Sequence, residues 1–312
     1  MIQANCHHSH LYDGGMRMRI LVAVDRDEES QMALRYTCHL LEHFEAHVDA
    51  LYVKPDVAQA GAEGAYAPFT TPQDFHAAME AEAQRTLEAV IETCEVCLGA
   101  KIPCEPVVAV GDPAEEILRV ADEGNYDMIV LGSQGRSSLR GLLLGAVHAK
   151  ILHHARRPVL ILRNFRPVRK ILVAYRGSEC DQGALRFVGR LFQKKKPEIS
   201  IVHVQETKIA ESDKYAKQCV EDAERTIRGF GFSPVLVTAQ GDFVDELLKA
   251  VTVKRFDLIV LGAHWQKRSK YLAMISDEAL DLVRLTNRPV LVFREPLDEP
   301  AFSPKEQGIQ ER

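Results

Sequence analysis

The stretch Arg19-Ile20-Leu21-Val22-Ala23-Val24-Asp25 returns 151 residues later as Lys170-Ile171-Leu172-Val173-Ala174-Tyr175-Arg176. At the same offset Ala33-Leu34-Arg35 meets Ala184-Leu185-Arg186, and Val53 meets Val204. After a net loss of 21 residues the correspondence resumes at offset 130, where Gly111-Asp112 meets Gly241-Asp242 and the run Tyr126 to Gly132 meets Phe256 to Gly262. Arg157-Pro158-Val159-Leu160 then meets Arg288-Pro289-Val290-Leu291 at offset 131. Self-similarity on this scale means one domain present twice.

Each copy opens on a short β-branched run, passes through helical periodicity and returns to another apolar run. That alternation predicts an α/β fold, a doubly wound parallel sheet covered by helices. In the first copy the pattern places strands at about 19–25, 47–53, 104–110, 127–132 and 158–163, and helices at about 28–44, 72–98, 113–124 and 145–154. The helix over 72–98 spaces Phe75, Met79, Thr86, Val90, Ile91 and Cys94 three and four residues apart, as a core-facing stripe requires. Pro72 suits its first position. Only Asn164 to Arg169 separate the copies, too few residues for free swinging, so the halves are expected to pack together.

Composition narrows the function classes. The chain has 312 residues, 46% hydrophobic and 27% charged, with a net charge of −5. That balance is ordinary for a soluble protein and gives no general attraction for nucleic acid. No apolar run approaches the roughly 20 residues of a membrane-spanning helix, and the first residues lack a basic-then-apolar signal layout. The expectation is a cytoplasmic protein with no membrane and no nucleic-acid partner. Seven cysteines, an odd number at modest density, argue for thiols rather than a disulfide framework.

In an open doubly wound sheet, ligands bind beyond the carboxyl ends of the strands where strand order reverses. The first strand ends in Asp25, a carboxylate able to accept hydrogen bonds from a ribose or a base. The fourth runs into Gly132-Ser133-Gln134-Gly135-Arg136-Ser137-Ser138, with Gly145 following just before a helical stretch. Glycines permit close backbone approach, and the free N–H groups of a helix start form an anion site. Arg136 and Arg140 lie in the intervening loop and can meet phosphate charge. Against this stands the plain reading that a glycine loop only turns the chain.

On these residues each half resembles a universal stress protein domain of the UspA type, and the chain resembles the tandem, two-domain members of that family over about residues 17–295. The resemblance implies two adenine nucleotide alpha hydrolase-like, Rossmann-like domains packed as a pseudo-dimer through their last strands, about 158–163 and 289–294. Gly132, Gly135 and Gly145 match the G-x2-G-x9-G-[ST] pattern of the nucleotide-binding members, and Ala146 departs from its last position. The resemblance further implies that Ala23, Asp25 and Val53 contact the adenosine part. Gly132 to Ser138, thus including Gly135, Arg136, Ser137 and Ser138, together with Gly145, Ala146 and Val147, would hold the ribose and phosphates.

The expected ligand is ATP or another adenine nucleotide (ADP or AMP), with or without magnesium, in a stress-response or signalling role. The domains expected are 17–164, carrying the nucleotide, and 168–295, with a degenerate motif, flanked by flexible termini at 1–16 and 296–312. The second copy has Arg176 for Asp25, Trp265 or Gln266 for Gly135, and Ile275 or Ser276 for Gly145; only Gly262 is retained. A homodimer beyond the intrachain pair is left open. The rival readings are a non-binding interaction module and a slow nucleotide hydrolase. No catalytic set emerges, because neither a Walker lysine nor a magnesium-binding pair accompanies Asp25.

Two further patterns invite metal or redox readings. His39, His43 and His47 recur every four residues and read as neighbours on one face of the first helix, but the third would sit about 12 Å from the first. A solvated face is the better reading, so no metal site is assigned. Cys94-Glu95-Val96-Cys97 with Cys104 lacks a second pair at zinc spacing and reads as buried or idle thiols. Cys6, His7, His8 and His10 fall in the amino-terminal arm, which is expected to be loose.

Overall fold

The computed structural model describes residues 18–25, 27–42, 44–54, 72–98, 102–132, 145–163, 165–206, 211–263 and 278–294. The first copy runs β1 (Met18–Val24), α1 (Glu28–Leu40), β2 (Ala46–Lys54), α2 (Pro72–Leu98), β3 (Cys104–Val110), α3 (Pro113–Glu123), β4 (Met128–Gly132), α4 (Ala146–His154) and β5 (Val159–Leu162). The second repeats the order as β6 (Lys170–Ala174), α5 (Glu179–Leu191), β7 (Glu198–Glu206), α6 (Asp213–Arg228), β8 (Val235–Gly241), α7 (Phe243–Lys254), β9 (Leu258–Gly262), α8 (Glu278–Leu285) and β10 (Val290–Phe293).

All ten strands join one sheet in the order β3-β2-β1-β4-β5-β10-β9-β6-β7-β8. Every pairing inside a copy is parallel. The copies meet where β10 lies antiparallel to β5, with Leu291 opposite Leu160, two residues that are themselves 131 apart in the repeat. A parallel sheet is covered on both faces, so its central strands are almost continuously apolar. Along β1, Ile20, Val22 and Val24 enter the core beneath α1 and α2, while Leu21 enters the core beneath α3 and α4.

The junction is also held by polar contacts that obey the repeat. Arg163, just after β5, donates from Nη2 to the Val283 carbonyl at 2.9 Å. Its counterpart Arg294, just after β10, donates to the Leu152 carbonyl. Each guanidinium thus reaches carbonyls in the last turns of the other copy's final helix, where the helix dipole favours a cation. The linker is bound in as well: the Tyr36 hydroxyl donates to the Arg166 carbonyl at 2.6 Å, and the Phe165 ring stands edge-on to Tyr36 at 5.9 Å.

Three local expectations need correction. α1 stops at Leu40 rather than near residue 44, because Leu41 closes the last turn and Phe44 bonds back to its carbonyl before the chain enters β2. His47 therefore lies in β2 and not on a helix with His39; His43 is outside the described residues. On α2, Phe75, Thr86, Val90 and Cys94 are buried, together with Ala83 and Thr93, but Ile91 is 39% exposed. The expected flexible termini lie outside the described residues.

Candidate functional site

β1 has β2 on one side and β4 on the other, so the direction of winding reverses between β1 and β4. Beyond their carboxyl ends opens a cleft of about 740 Å³, solvent at its mouth included. Five residues expected at a ligand site line it: Ala23, Asp25, Val53, Gly132 and Val147. Gly145 and Ala146 stand at the start of α4 beside the lining, Gly145 as its N-cap and Ala146 exposed. Gly135, Arg136, Ser137 and Ser138, with Arg140, lie outside the described residues.

Asp25 is exposed, and its position is set by α1. The Ser30 hydroxyl, itself buried, sits 2.7 Å from Asp25 Oδ1, and the Asp27 N–H donates to the same oxygen at 2.9 Å. The Asp25 N–H donates to Ser30 Oγ at 2.9 Å, while Gln31 Nε2 donates to the Asp25 carbonyl at 2.8 Å. Gln31 is fixed in turn by the Thr93 hydroxyl on α2. Among the described residues no hydrogen bond reaches Asp25 Oδ2.

The opposite wall is the first turn of α4. Its N-cap is a glycine with no side chain to satisfy the first amides, and no acidic residue occupies that turn. By contrast α3 is capped by its own Asp112, whose side chain accepts from the Glu115 N–H. His148 is buried, and its Nε2–H donates to the Gly132 carbonyl at 2.7 Å. Burial holds this imidazole below its usual pKa despite that hydrogen bond, so it is neutral near pH 7. Nδ1 is then a buried acceptor with no partner among the described residues. Leu51, Ile117 and Leu131 supply apolar walls, and Pro113 the rim.

Gly132 has a packing duty that the motif does not express. A Cβ there would lie 3.0 Å from the Glu29 carbonyl oxygen and 3.0 Å from Ser30 Cα, because the first turn of α1 rests on the end of β4. At Gly262 the approach is closer, 2.5 Å to both the Asp181 nitrogen and the Cys180 carbonyl carbon. This packing explains why Gly262 persists in a copy that lacks the other two glycines.

In the second copy the residues at the corresponding strand end and helix starts pair with one another. Arg176, in the place of Asp25, lies over the Phe243 ring at 4.2 Å and pairs with Glu278 at the start of α8. Phe243 occupies the place of Pro113. The start of α5 is closed by a capping box between Ser178 and Asp181, and Asp181 also accepts from the Arg176 N–H. His264, Trp265, Gln266, Lys267, Ile275 and Ser276 are outside the described residues.

His47, Asp49 and Glu105 bring three ligand-type atoms within 4.8 Å of one another on β2 and β3. Asp49 is already committed: it accepts from His47 Nε2 at 2.9 Å, from Arg19 at 3.0 Å and from the Tyr126 hydroxyl. Burial pushes its carboxyl up, but these donors outweigh burial and leave it below the usual range. The same Asp49 bond raises the His47 pKa. The group is an ion-pair network around the buried Asp49, and no metal is assigned to it.

Fold and cleft together define a protein of two doubly wound α/β copies in which one copy keeps an open switch-point site. The model of the Universal stress protein family matches residues 16–163 and again 167–294, and the chain belongs to that family. It is 30% identical over 146 residues to Universal stress protein YxiE of Bacillus subtilis, covering 46% of this chain and 98% of that one. With Universal stress protein MJ0531 of Methanocaldococcus jannaschii it shares 29% over 147 residues, covering 46% and 81%. A universal stress protein structure from Archaeoglobus fulgidus superposes over 88% of this chain and 98% of its own, with a TM-score of 0.70 and 23% identity, a likeness of fold. No helix among the described residues is long and apolar enough to cross a membrane.

Proposed function

We propose that the first copy binds one adenine nucleotide in the β1/β4 cleft and that the chain acts as a cytoplasmic stress-response or signalling component, the second copy serving as its structural partner. The observation that supports this reading is the convergence of Ala23, Asp25, Val53, Gly132 and Val147, from separate segments of sequence, on one cleft at the topological switch point. Asp25 Oδ2 would take a ribose or base donor, Leu51 and Val53 would flank the adenosine, and the uncapped start of α4 would face phosphate. Because Gly132 is needed for packing, the reading rests on the cleft and the α4 terminus rather than on that glycine.

Calorimetric titration of the full chain with ATP tests this. One site per chain is expected, weakened by Asp25→Ala and lost in Gly135→Val, where a β-branched side chain fills the phosphate approach. Two equivalent sites per chain, or an unchanged affinity in both variants, would overturn the assignment. Phosphate release measured in the same samples separates binding from hydrolysis.

A further inference from the structure

The thiols Cys94 and Cys104 belong to different elements and meet inside the protein. Cys94 is in the last turns of α2 and Cys104 is the first residue of β3, the edge strand of the sheet. Their Sγ atoms are 2.6 Å apart. They are 3% and 5% exposed and lie in the core under α1 and α2 with Val90 and Ile102. Both are in the thiol form in this structure. The sequence pattern of Cys94, Cys97 and Cys104 lacks the second pair that a zinc site needs, and the nucleotide reading makes no use of it. What the fold adds is aim: two thiols ten residues apart face each other within reach of a bond, across a helix-to-strand connection.

We propose that Cys94 and Cys104 are a reversible oxidation site, a dithiol that a hydroperoxide converts to an intrachain disulfide. One sulfur, as thiolate, attacks a peroxide oxygen. The O–O bond breaks, the departing hydroxide takes a proton and leaves as water, and the sulfur becomes a sulfenic acid. The second sulfur then attacks the first, the S–S bond forms, and the sulfenic oxygen leaves with a proton as a second water. The thiol pair loses two electrons and two protons, and one hydrogen peroxide is reduced to two waters. A dithiol reductant reverses the change by thiol–disulfide exchange.

The bond would tie the end of α2 to the start of the edge strand. That is the amino end of β3, whereas the cleft lies beyond the carboxyl ends of β1 and β4. Oxidation should therefore leave ligand binding at the cleft unchanged, so this inference stands or falls independently of the proposed nucleotide site.

The full chain is reduced, freed of reductant, exposed to hydrogen peroxide or, in a parallel arm, to diamide, and then blocked with an alkylating reagent. Tryptic cleavage after Lys101 separates Cys104 from both Cys94 and Cys97, so a link appears as two joined peptides lighter by two hydrogens. The expected result is that joined species in both arms, abolished by Cys94→Ser, retained in Cys97→Ser and reversed by dithiothreitol. The oxidised parent should melt at a higher temperature than the reduced parent, and Cys94→Ser should show no such oxidant-dependent shift. A link that survives Cys94→Ser, or alkylation of Cys94 and Cys104 as separate thiols after both oxidants, would overturn the proposal.

Discussion

Gly132 and Gly262 occupy equivalent strand ends, and replacing each by alanine separates packing from ligand approach. The new methyl group at 132 meets the Glu29 and Ser30 backbone at 3.0 Å, so α1 must give by a few tenths of an ångström. At 262 it meets the Cys180 and Asp181 backbone at 2.5 Å, a contact that cannot persist without moving the start of α5. Overpacking of a tight site costs about 1–3 kcal/mol, occasionally more. The loss of glycine freedom in the unfolded chain returns about 0.4–1 kcal/mol. Gly132→Ala is thus expected to cost from almost nothing to about 2 kcal/mol, and Gly262→Ala about 2 kcal/mol or more. Denaturant midpoints of the two variants measure the order, and ATP titration of both completes the comparison. A shift at Ser30 disturbs the seat of Asp25, so Gly132→Ala should weaken ATP while Gly262→Ala should not. Equal stability of Gly262→Ala and the parent, or the reverse order of costs, would refute the packing argument.

Ala146→Ser adds a hydroxyl at the first residue of α4 and should tighten ATP but not adenosine, by up to about 1.5–3 kcal/mol; equal changes for both ligands would mean that residue 146 does not face phosphate. The His47–Asp49 pair makes stability depend on pH in a stated direction. His47 is raised, first by its bond to Asp49, so its contribution is full below the unfolded value near 6.5 and is lost as pH rises through the folded value. Asp49 is lowered, burial being outweighed by its donors, so its contribution is present above about 3.9 and is lost as pH falls through its folded value. Thermal melts should therefore show His47→Gln costing more near pH 5 than near pH 9, and a pH-independent cost would contradict the assignment. Arg294→Met removes a buried charged donor to Leu152. Since hydrogen bonds to charged groups contribute about 1.5–3 kcal/mol and desolvation offsets part of that, a net loss of about 1–2 kcal/mol is expected in equilibrium denaturation; a gain would mean that desolvation dominates.

Much of this architecture is legible in the chain because parallel strands buried on both faces must be apolar throughout, and four such runs, β1, β2, β4 and β5, recur in the same order as β6, β7, β9 and β10, while the edge strands β3 and β8 are largely exposed. Asp25 and Gly132 are readable for the same reason, since they fall at or just past the ends of such runs, whereas Ala23 and Val53 are singled out only by the resemblance to the family. The four-residue recurrence of His39, His43 and His47 misled because a helical period does not report where a helix stops, and β2 begins at Ala46. Ser30 and His148 could not be singled out, since each acts through a contact to another element, to Asp25 and to the Gly132 carbonyl. The nearness of Cys94 to Cys104 is of that kind too. Gly132 was visible, but its packing against α1 was not, because a motif records the residue and not the neighbour that requires it.

The two copies differ in whether the chain satisfies its own polar groups at the switch point. In the second, Arg176 is matched by Glu278 and lies on Phe243, and the Ser178–Asp181 box closes the first turn of α5. Every one of those groups finds its partner within the chain. In the first copy Asp25 points one oxygen away from its Ser30 and Asp27 partners, α4 starts on a glycine, and His148 holds a buried acceptor without a donor among the described residues. A buried polar group left unpaired costs about 1–3 kcal/mol, a sizeable share of the stability of a folded domain. That cost falls in the cleft of the first copy, where a donor from a bound molecule would offset it.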